Sequence, residues 1–217
     1  MAIRILKEDI AHEQVATLMR DWGLVLQPPP DAPEDMFWQV WKTADQESAI
    51  EYIDDAFTKV HSFFTRGNEE ESLAERITEA LPVWHLPALL GHAYALLDGG
   101  SEAALQRVAY EIAIELEGNG FDPESAECLN AFLQAREPST RLAGATAFAV
   151  LTWRKFRLMA ERVAADADPS VAEVGESWLA AIREEHGDTP PNPMAEMLFD
   201  SNGDGTFGAW LPSRNDK

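Results

Sequence analysis

The residues best suited to chemistry in this 217-residue sequence form a polar loop near its end, Asp200-Ser201-Asn202-Gly203-Asp204-Gly205-Thr206. Oxygen-bearing side chains at alternate positions, with glycine at the sixth, are typical of the first half of a calcium-binding EF-hand loop. The candidate ligands are Asp200, Asn202, Asp204 and Thr206. The twelfth position, where such loops carry a bidentate glutamate, is Leu211. We therefore expect at most a weak calcium site, and a plain polar turn is the preferred interpretation.

The other reactive residue types do not form a recognisable catalytic or metal-binding pattern. The five histidines, none of which pairs with another at metal-ligand spacing on one helix, are His12, His61, His85, His92 and His186. Cys128 lies on an apolar helical stripe, which predicts a buried, inert thiol. Acidic pairs such as Asp54-Asp55, Glu184-Glu185 and Asp166 with Asp168 are expected to be solvated surface charges. The sequence therefore predicts a protein that is not an enzyme and that has no cofactor other than the calcium alternative.

The charge balance indicates what kind of partner the protein can bind. Seventeen Lys and Arg against thirty-eight Asp and Glu give a net charge of −21. Such a field repels polyanions, so nucleic acid and anionic membranes are disfavoured as partners and a basic protein is favoured. Cys128 is the only cysteine, which excludes an internal disulfide. No apolar run is long enough for a signal peptide or a membrane span, so the predicted location is the cytoplasm.

The first third of the chain is predicted to be a small α+β domain. Apolar spacing over residues 7–22 predicts an amphipathic helix that ends at Gly23. Three segments rich in β-branched and aromatic residues, Phe37 to Thr43, Ala49 to Ile53 and Thr58 to Thr65, favour a three-stranded antiparallel meander. A helical stripe over the same stretch is the alternative. Two helices, residues 7–22 and 69–81, are available to cover one face of the sheet.

From residue 81 onward, the pattern predicts helices joined by short turns. The expected helices span residues 88–97, 102–116, 124–135, 139–151, 153–165 and 170–185. Asp122 followed by Pro123 is typical of a helix start, because the carboxylate caps free amides and proline suits the first turn. No Gly or Pro separates Leu151 from Trp153, so those two helices could also form one long helix.

A repeat is visible in this helical part. Glu137-Pro138-Ser139 recurs as Asp168-Pro169-Ser170, and Gly144 recurs as Gly175, both at a spacing of thirty-one residues. Apolar positions coincide at the same spacing, Phe148 with Leu179 and Leu151 with Ile182, a pattern expected of two-helix units.

An acidic residue, a proline and a hydroxyl residue before the first helix of each unit resemble the HEAT-repeat family of α-solenoids. The resemblance covers about residues 81–186 and implies stacked helix pairs that leave one face free to bind another protein. The implied pairs are 101–116 with 124–135 and 139–151 with 153–165, followed by a terminal helix at 170–185. It implies no reaction.

Together these observations predict a mainly α protein. Its parts would be a small α+β domain with a short antiparallel sheet at 1–80, HEAT-like helical repeats at 81–187 and an irregular tail at 188–217. The predicted function is a non-enzymatic, acidic scaffold for protein–protein interaction. One version is an inhibitor or immunity-type protein that neutralises a basic partner, because opposite potentials accelerate encounter. The alternative is a weak calcium-binding protein that uses the loop at 200–206.

Overall fold

A computed structural model describes residues 2–29 and 36–187 of the chain. This part is mostly helical and carries one antiparallel sheet near its N-terminus. It divides into two compact units. The first unit comprises residues 2–29 and 36–89 with Glu117–Gly120, and the second comprises Leu90–Leu116 with residues 121–187.

The sheet of the first unit has five strands in the order β1-β5-β4-β3-β2. The strands are β1 (Ala2–Ile5), β2 (Val25–Leu26), β3 (Met36–Lys42), β4 (Ser48–Asp55) and β5 (Val60–Gly67). The predicted meander is confirmed as β3, β4 and β5, and the helical alternative for this stretch is wrong. The edge strands β1 and β2 were not predicted, because each is too short to show an alternating pattern.

Two helices cover one face of this sheet, and an apolar core lies between the helices and the strands. They are α1 (His12–Asp21) and α2 (Glu70–Ala80). Helix α2 is one residue shorter than predicted at each end, whereas α1 begins five residues later than the predicted start at residue 7. Alternation along the strands directs Trp41, Ile50, Tyr52 and Phe63 to this core. Val15 and Met19 of α1 and Leu73 and Ile77 of α2 complete it. Gly23 follows α1 with a φ of 77°, the left-handed conformation that the sequence indicated at this helix end.

The remaining helices follow the predicted order. They are α3 (Leu86–Leu97), α4 (Glu102–Asn119), α5 (Pro123–Leu133), α6 (Pro138–Ala149), α7 (Arg157–Val163) and α8 (Pro169–His186), with one 3-10 turn at Arg154–Phe156. The carboxylates of Asp122 and Asp168 cap α5 and α8 by accepting hydrogen bonds from backbone amides. Residues 151–153 are not helical, so α6 and α7 are separate helices. None of the helices among the described residues is long and apolar enough to cross a membrane.

The two glycines of the sequence repeat occupy equivalent contacts in the second unit. Gly144 of α6 lies against Phe132 and Leu133 at the end of α5. Gly175 of α8 lies against Val163 and Ala164 at the end of α7. Each glycine therefore meets residues eleven and twelve positions before it. Helix α5 packs on α6, α7 packs on α8, and α6 packs on α8, so the two helices that start at the repeated triplets lie side by side. In the packed pairs α5–α6 and α7–α8 the triplet begins the second helix, whereas the resemblance implies that it begins the first.

Candidate functional site

Asp200, Asn202, Asp204 and Thr206 lie outside the described residues, and the calcium site stays a prediction. Within residues 2–29 and 36–187, no group of three or more His, Cys, Asp or Glu side chains is arranged to hold a metal ion.

In the first unit, the structure brings together two histidines that are far apart in sequence. The Nε2 atom of His12 lies 2.7 Å from Oδ2 of Asp54, and Nε2 of His61 lies 3.4 Å from Oδ1 of the same carboxylate. The carboxylate of Asp9 is 3.7 Å from Nε2 of His61. The hydroxyl of Tyr52 is 2.8 Å from Nδ1 of His61. Asp54, which the sequence predicted to be a solvated surface charge, therefore contacts two imidazoles and accepts a hydrogen bond from that of His12. We call His12, Tyr52, Asp54 and His61 the histidine–aspartate cluster.

Strand register and a helix start position the histidine–aspartate cluster. Asp54 and His61 are paired directly across β4 and β5, and Phe37 of β3 is the opposite neighbour of Asp54. His12 is the first residue of α1, and its ring stacks on Phe37 with centroids 3.7 Å apart and planes 6° apart. The cluster therefore fixes the N-terminus of α1 to the end of the sheet.

The burial of Tyr52 and the acceptor character of Asp54 determine which groups of the cluster donate hydrogen bonds. Tyr52 is fully buried, and this burial, with smaller contributions from Asp54 and Asp9, raises the pKa of its hydroxyl far above the ordinary value. A carboxylate only accepts hydrogen bonds, so Nε2 of His12 carries the hydrogen that it donates to Asp54. The Tyr52 hydroxyl and Nδ1 of His61 share one hydrogen bond. Tyr52 is inaccessible to a substrate, and the cluster's described contacts bring no serine or cysteine to either imidazole, so we interpret it as a structural tie.

The second unit holds a lysine among aromatic rings. The Nζ atom of Lys155, in the 3-10 turn before α7, lies 3.7 Å from the ring centroid of Phe121 and 4.4 Å from that of Trp153. Phe156 is a third ring at 5.9 Å. Burial lowers the pKa of Lys155 to about 8. We call Phe121, Trp153, Lys155 and Phe156 the lysine–aromatic cluster.

Asp166, one of the acidic residues expected to be solvated, is instead held by an arginine. Arg141 of α6 donates from Nε and Nη2 to the two carboxylate oxygens of Asp166, each at 2.8 Å. Its Nη1 atom donates to the carbonyl oxygens of Ala135 and Arg136. The Arg141 guanidinium beside Asp166 holds the pKa of that carboxyl below its ordinary value. All three guanidinium nitrogens are engaged, so this ion pair joins two helix-to-helix turns.

The single thiol is buried, as the sequence indicated. Cys128 of α5 has no exposed surface, and burial raises its pKa to about 11. Its side-chain hydrogen-bond partner is the hydroxyl of Tyr94. The thiolate form that nucleophilic chemistry requires is therefore scarce near neutral pH.

Exposed carboxylates form the charged surface. On α2, Glu71, Glu75 and Glu79 follow one another at helical spacing on the exposed side and form no ion pair with a described residue. The only cation of α2, Arg76, stacks on Trp22 with its guanidinium carbon 4.4 Å from the ring centroid. Glu124 and Glu127 are likewise exposed on α5. Like charges one turn apart destabilise a helix slightly.

Sequence reasoning found the helix caps and the repeat but missed both clusters. His12 and His61 are separated by most of the first unit, and only the register of the β4–β5 hairpin could have placed Asp54 opposite His61. Phe121 and Lys155 come from different turns. Compared with protein-family models, with curated proteins and with solved structures, the chain matches none of them.

Proposed function

We propose that the protein is a non-enzymatic scaffold that binds a basic protein through a surface of HEAT-like helix pairs. The observation that carries this proposal is the equivalence of the two units α5–α6 and α7–α8. Their glycines, Gly144 and Gly175, contact the preceding helix at the same relative positions, and α6 packs on α8. Stacked pairs of this kind bury their apolar stripes on one another and leave an extended face for a partner.

The charge of the chain supports a basic partner. A net charge of −21 produces a long-range potential that attracts a cationic protein and repels nucleic acid. The exposed carboxylates of α5 would face such a partner directly. An immunity-type role, in which the protein neutralises a basic enzyme in the cytoplasm, is one version of this function.

The test starts with capture of partners from the native host, with elution by rising salt. A partner bound through opposite charge should itself be basic, and its dissociation constant should increase steeply with ionic strength. An acidic partner, or one whose retention is unaffected by salt, would contradict the proposal.

A matched pair of variants then locates the surface. Glu124→Gln with Glu127→Gln removes two exposed charges from α5, and Glu71→Gln with Glu75→Gln removes two from α2. Both pairs change the net charge equally. If the helix pairs form the interface, the α5 variant should weaken binding by about 1 kcal/mol or more and the α2 variant by only a few tenths. If both variants weaken binding equally, the preference for a basic partner would stand, but the helix pairs would not be its binding surface.

A further inference from the structure

A cavity of about 140 Å³ lies where the two equivalent helix pairs meet. Each of the four helices contributes to its lining, α5 through Leu133, α6 through Arg141, α7 through Met159 and Val163, and α8 through Val171. Gln134 and Arg162 also line the cavity, and both are exposed. The cavity therefore opens to solvent on the surface that the helix pairs present.

The inner part of the cavity is apolar. Met159, Val163 and Val171 are almost completely buried, and Leu133 is partly buried. Protein interiors contain few voids larger than a water molecule, because the atoms that line a void lack dispersion contacts. A cavity of about 150 Å³ is large enough to hold a benzene molecule, so this one has room for a leucine-sized side chain.

The ion pair at the polar edge of the cavity favours an apolar occupant. Arg141 has all three guanidinium nitrogens engaged, by Asp166 and by backbone carbonyls. Both carboxylate oxygens of Asp166 are occupied in turn. A small charged ligand would have to displace this ion pair, whereas an aliphatic group can enter the cavity without disturbing it.

Carboxylates lie around the cavity. Glu127 is exposed on the side of α5 that borders the cavity, at helical spacing from the lining residues of that helix. Glu137 and Asp168 interact electrostatically with Arg141, so both lie near the polar edge. Arg162 is the cation of the lining outside the ion pair. Cationic residues next to an inserted apolar side chain would therefore be attracted to this region.

We propose that this cavity binds a leucine-sized aliphatic side chain of the partner protein, flanked in the partner's sequence by lysine or arginine residues. This inference rests on the proposed function, because it names the contact that anchors the basic partner to the helix pairs. The aliphatic group supplies the contacts that the lining lacks, and the flanking cations face Glu127, Glu137 and Asp168. An anchor that fills a pocket contributes more to affinity than the contacts around it.

Three capped peptides test the aliphatic anchor and the basic flanks separately. They are acetyl-Lys-Lys-Leu-Lys-Lys-amide, the same peptide with alanine in place of leucine, and acetyl-Ser-Ser-Leu-Ser-Ser-amide. Each is titrated into the intact protein, and methyl NMR shifts give the dissociation constant. The first peptide should bind at least about fivefold more tightly than the alanine peptide, because its side chain buries more apolar surface. The methyl signals of Met159, Val163 and Val171 should shift most. At low salt the first peptide should also bind several-fold more tightly than the serine peptide.

The possible failures of this experiment are distinguishable. Equal affinity for the leucine and alanine peptides, or shifts that avoid the cavity methyl groups, would overturn the cavity as the docking site and leave the basic-partner function intact. Equal affinity for the lysine and serine peptides would reject the basic flanks and count against the proposed function itself. If raising the protein concentration without peptide shifts the same methyl signals, the occupant is a second copy of the chain and the proposal is overturned.

Two variants test the cavity directly. Gln134→Trp places a large ring at the opening, and Val171→Phe fills the cavity from within. Each should reduce the preference for leucine over alanine to less than about twofold, with circular dichroism confirming the fold. Gln14→Trp is the matched control, because it makes the first exchange on the exposed side of α1, and it should leave the preference unchanged. A preference for leucine that persists in both folded cavity variants would overturn the proposal.

Discussion

Arg141 and Asp166 form a two-pronged ion pair between α6 and the turn that precedes α8, with both hydrogen bonds at 2.8 Å. Each side chain is about one-sixth exposed, at 16%. The geometry is the fork that arginine forms with a carboxylate, and it leaves both carboxylate oxygens occupied. This ion pair joins the two equivalent helix pairs.

The first prediction concerns the pH dependence of this ion pair. The guanidinium lowers the pKa of Asp166 in the folded protein. The ion pair therefore contributes its full stability above the ordinary aspartate pKa of about 3.9, and this contribution is lost as the pH falls through the lower pKa of the folded state. Arg141→Met should lower the free energy of unfolding at pH 7 by about 1–3 kcal/mol. The difference in the free energy of unfolding between this variant and the parent protein should be smaller near pH 3. Urea unfolding of both proteins at pH 7 and pH 3 measures it. A difference that is the same at both pH values would contradict the assigned role of Asp166.

The second prediction concerns the repeated glycines. A β carbon on Gly175 would collide with the backbone of Ala164, and one on Gly144 would come within 2.7 Å of Cβ of Phe132. Gly175→Ala and Gly144→Ala should each destabilise the protein by about 1–3 kcal/mol, because the packed helices must separate. Chemical denaturation measures the effect.

Gly91 is the matched control for these substitutions. It lies on the exposed side of α3, and no atom is within 4 Å of its added β carbon. Gly91→Ala should therefore be neutral or should stabilise the protein by up to about 1 kcal/mol. Destabilisation at Gly91 equal to that at Gly175 would show that close helix contact is not the cause.

The third prediction tests the histidine–aspartate cluster as a structural tie. A double-mutant cycle with His12→Gln and Asp54→Asn should give a coupling free energy of about 0.5–3 kcal/mol, because the two side chains share one hydrogen bond. Urea unfolding of the parent, both single variants and the double variant provides the four values. A coupling near zero would mean that His12 does not hold α1 to the sheet through Asp54.

The fourth prediction concerns Cys128. Because burial raises the thiol pKa to about 11, the reactive thiolate is scarce at pH 8 in the folded protein. An aromatic disulfide reagent should label the native protein at least about a hundredfold more slowly than the urea-unfolded chain, since reaction must await opening of the structure. The time course of absorbance gives both rates, and comparable rates would contradict a buried thiol.

Local patterns in the sequence predict most of the helices and the central strands of this fold. Asp122-Pro123 and Asp168-Pro169 start helices because capping and proline geometry act within one turn. The break between α6 and α7 is different, since no Gly or Pro marks it. There the carbonyl of Leu151 accepts a hydrogen bond from Nε1 of Trp178, a partner twenty-seven residues away. Such a contact has no local signal.

The two side-chain clusters are unpredictable for the same reason. The local sequence at Asp54 indicates only an exposed acidic pair. The pairing of β4 with β5 brings His61 to Asp54, and the position of α1 brings His12 to it. In the sequence, Lys155 is one of three cations within residues 154–157, and nothing local distinguishes it from the other two. Its distinctive environment arises only when the turn containing Phe121 packs against it.

The shared contacts of Gly144 and Gly175 constrain how this part of the chain can change in length. An insertion within a helix turns every later side chain by about 100° per residue, so a glycine would leave the helix end that it fits. An insertion of thirty-one residues before Glu137 would instead add one complete helix pair and keep each glycine opposite its neighbour. Growth or shortening of this region is therefore expected in whole pairs of helices, and the length of the proposed binding face would change in equal steps.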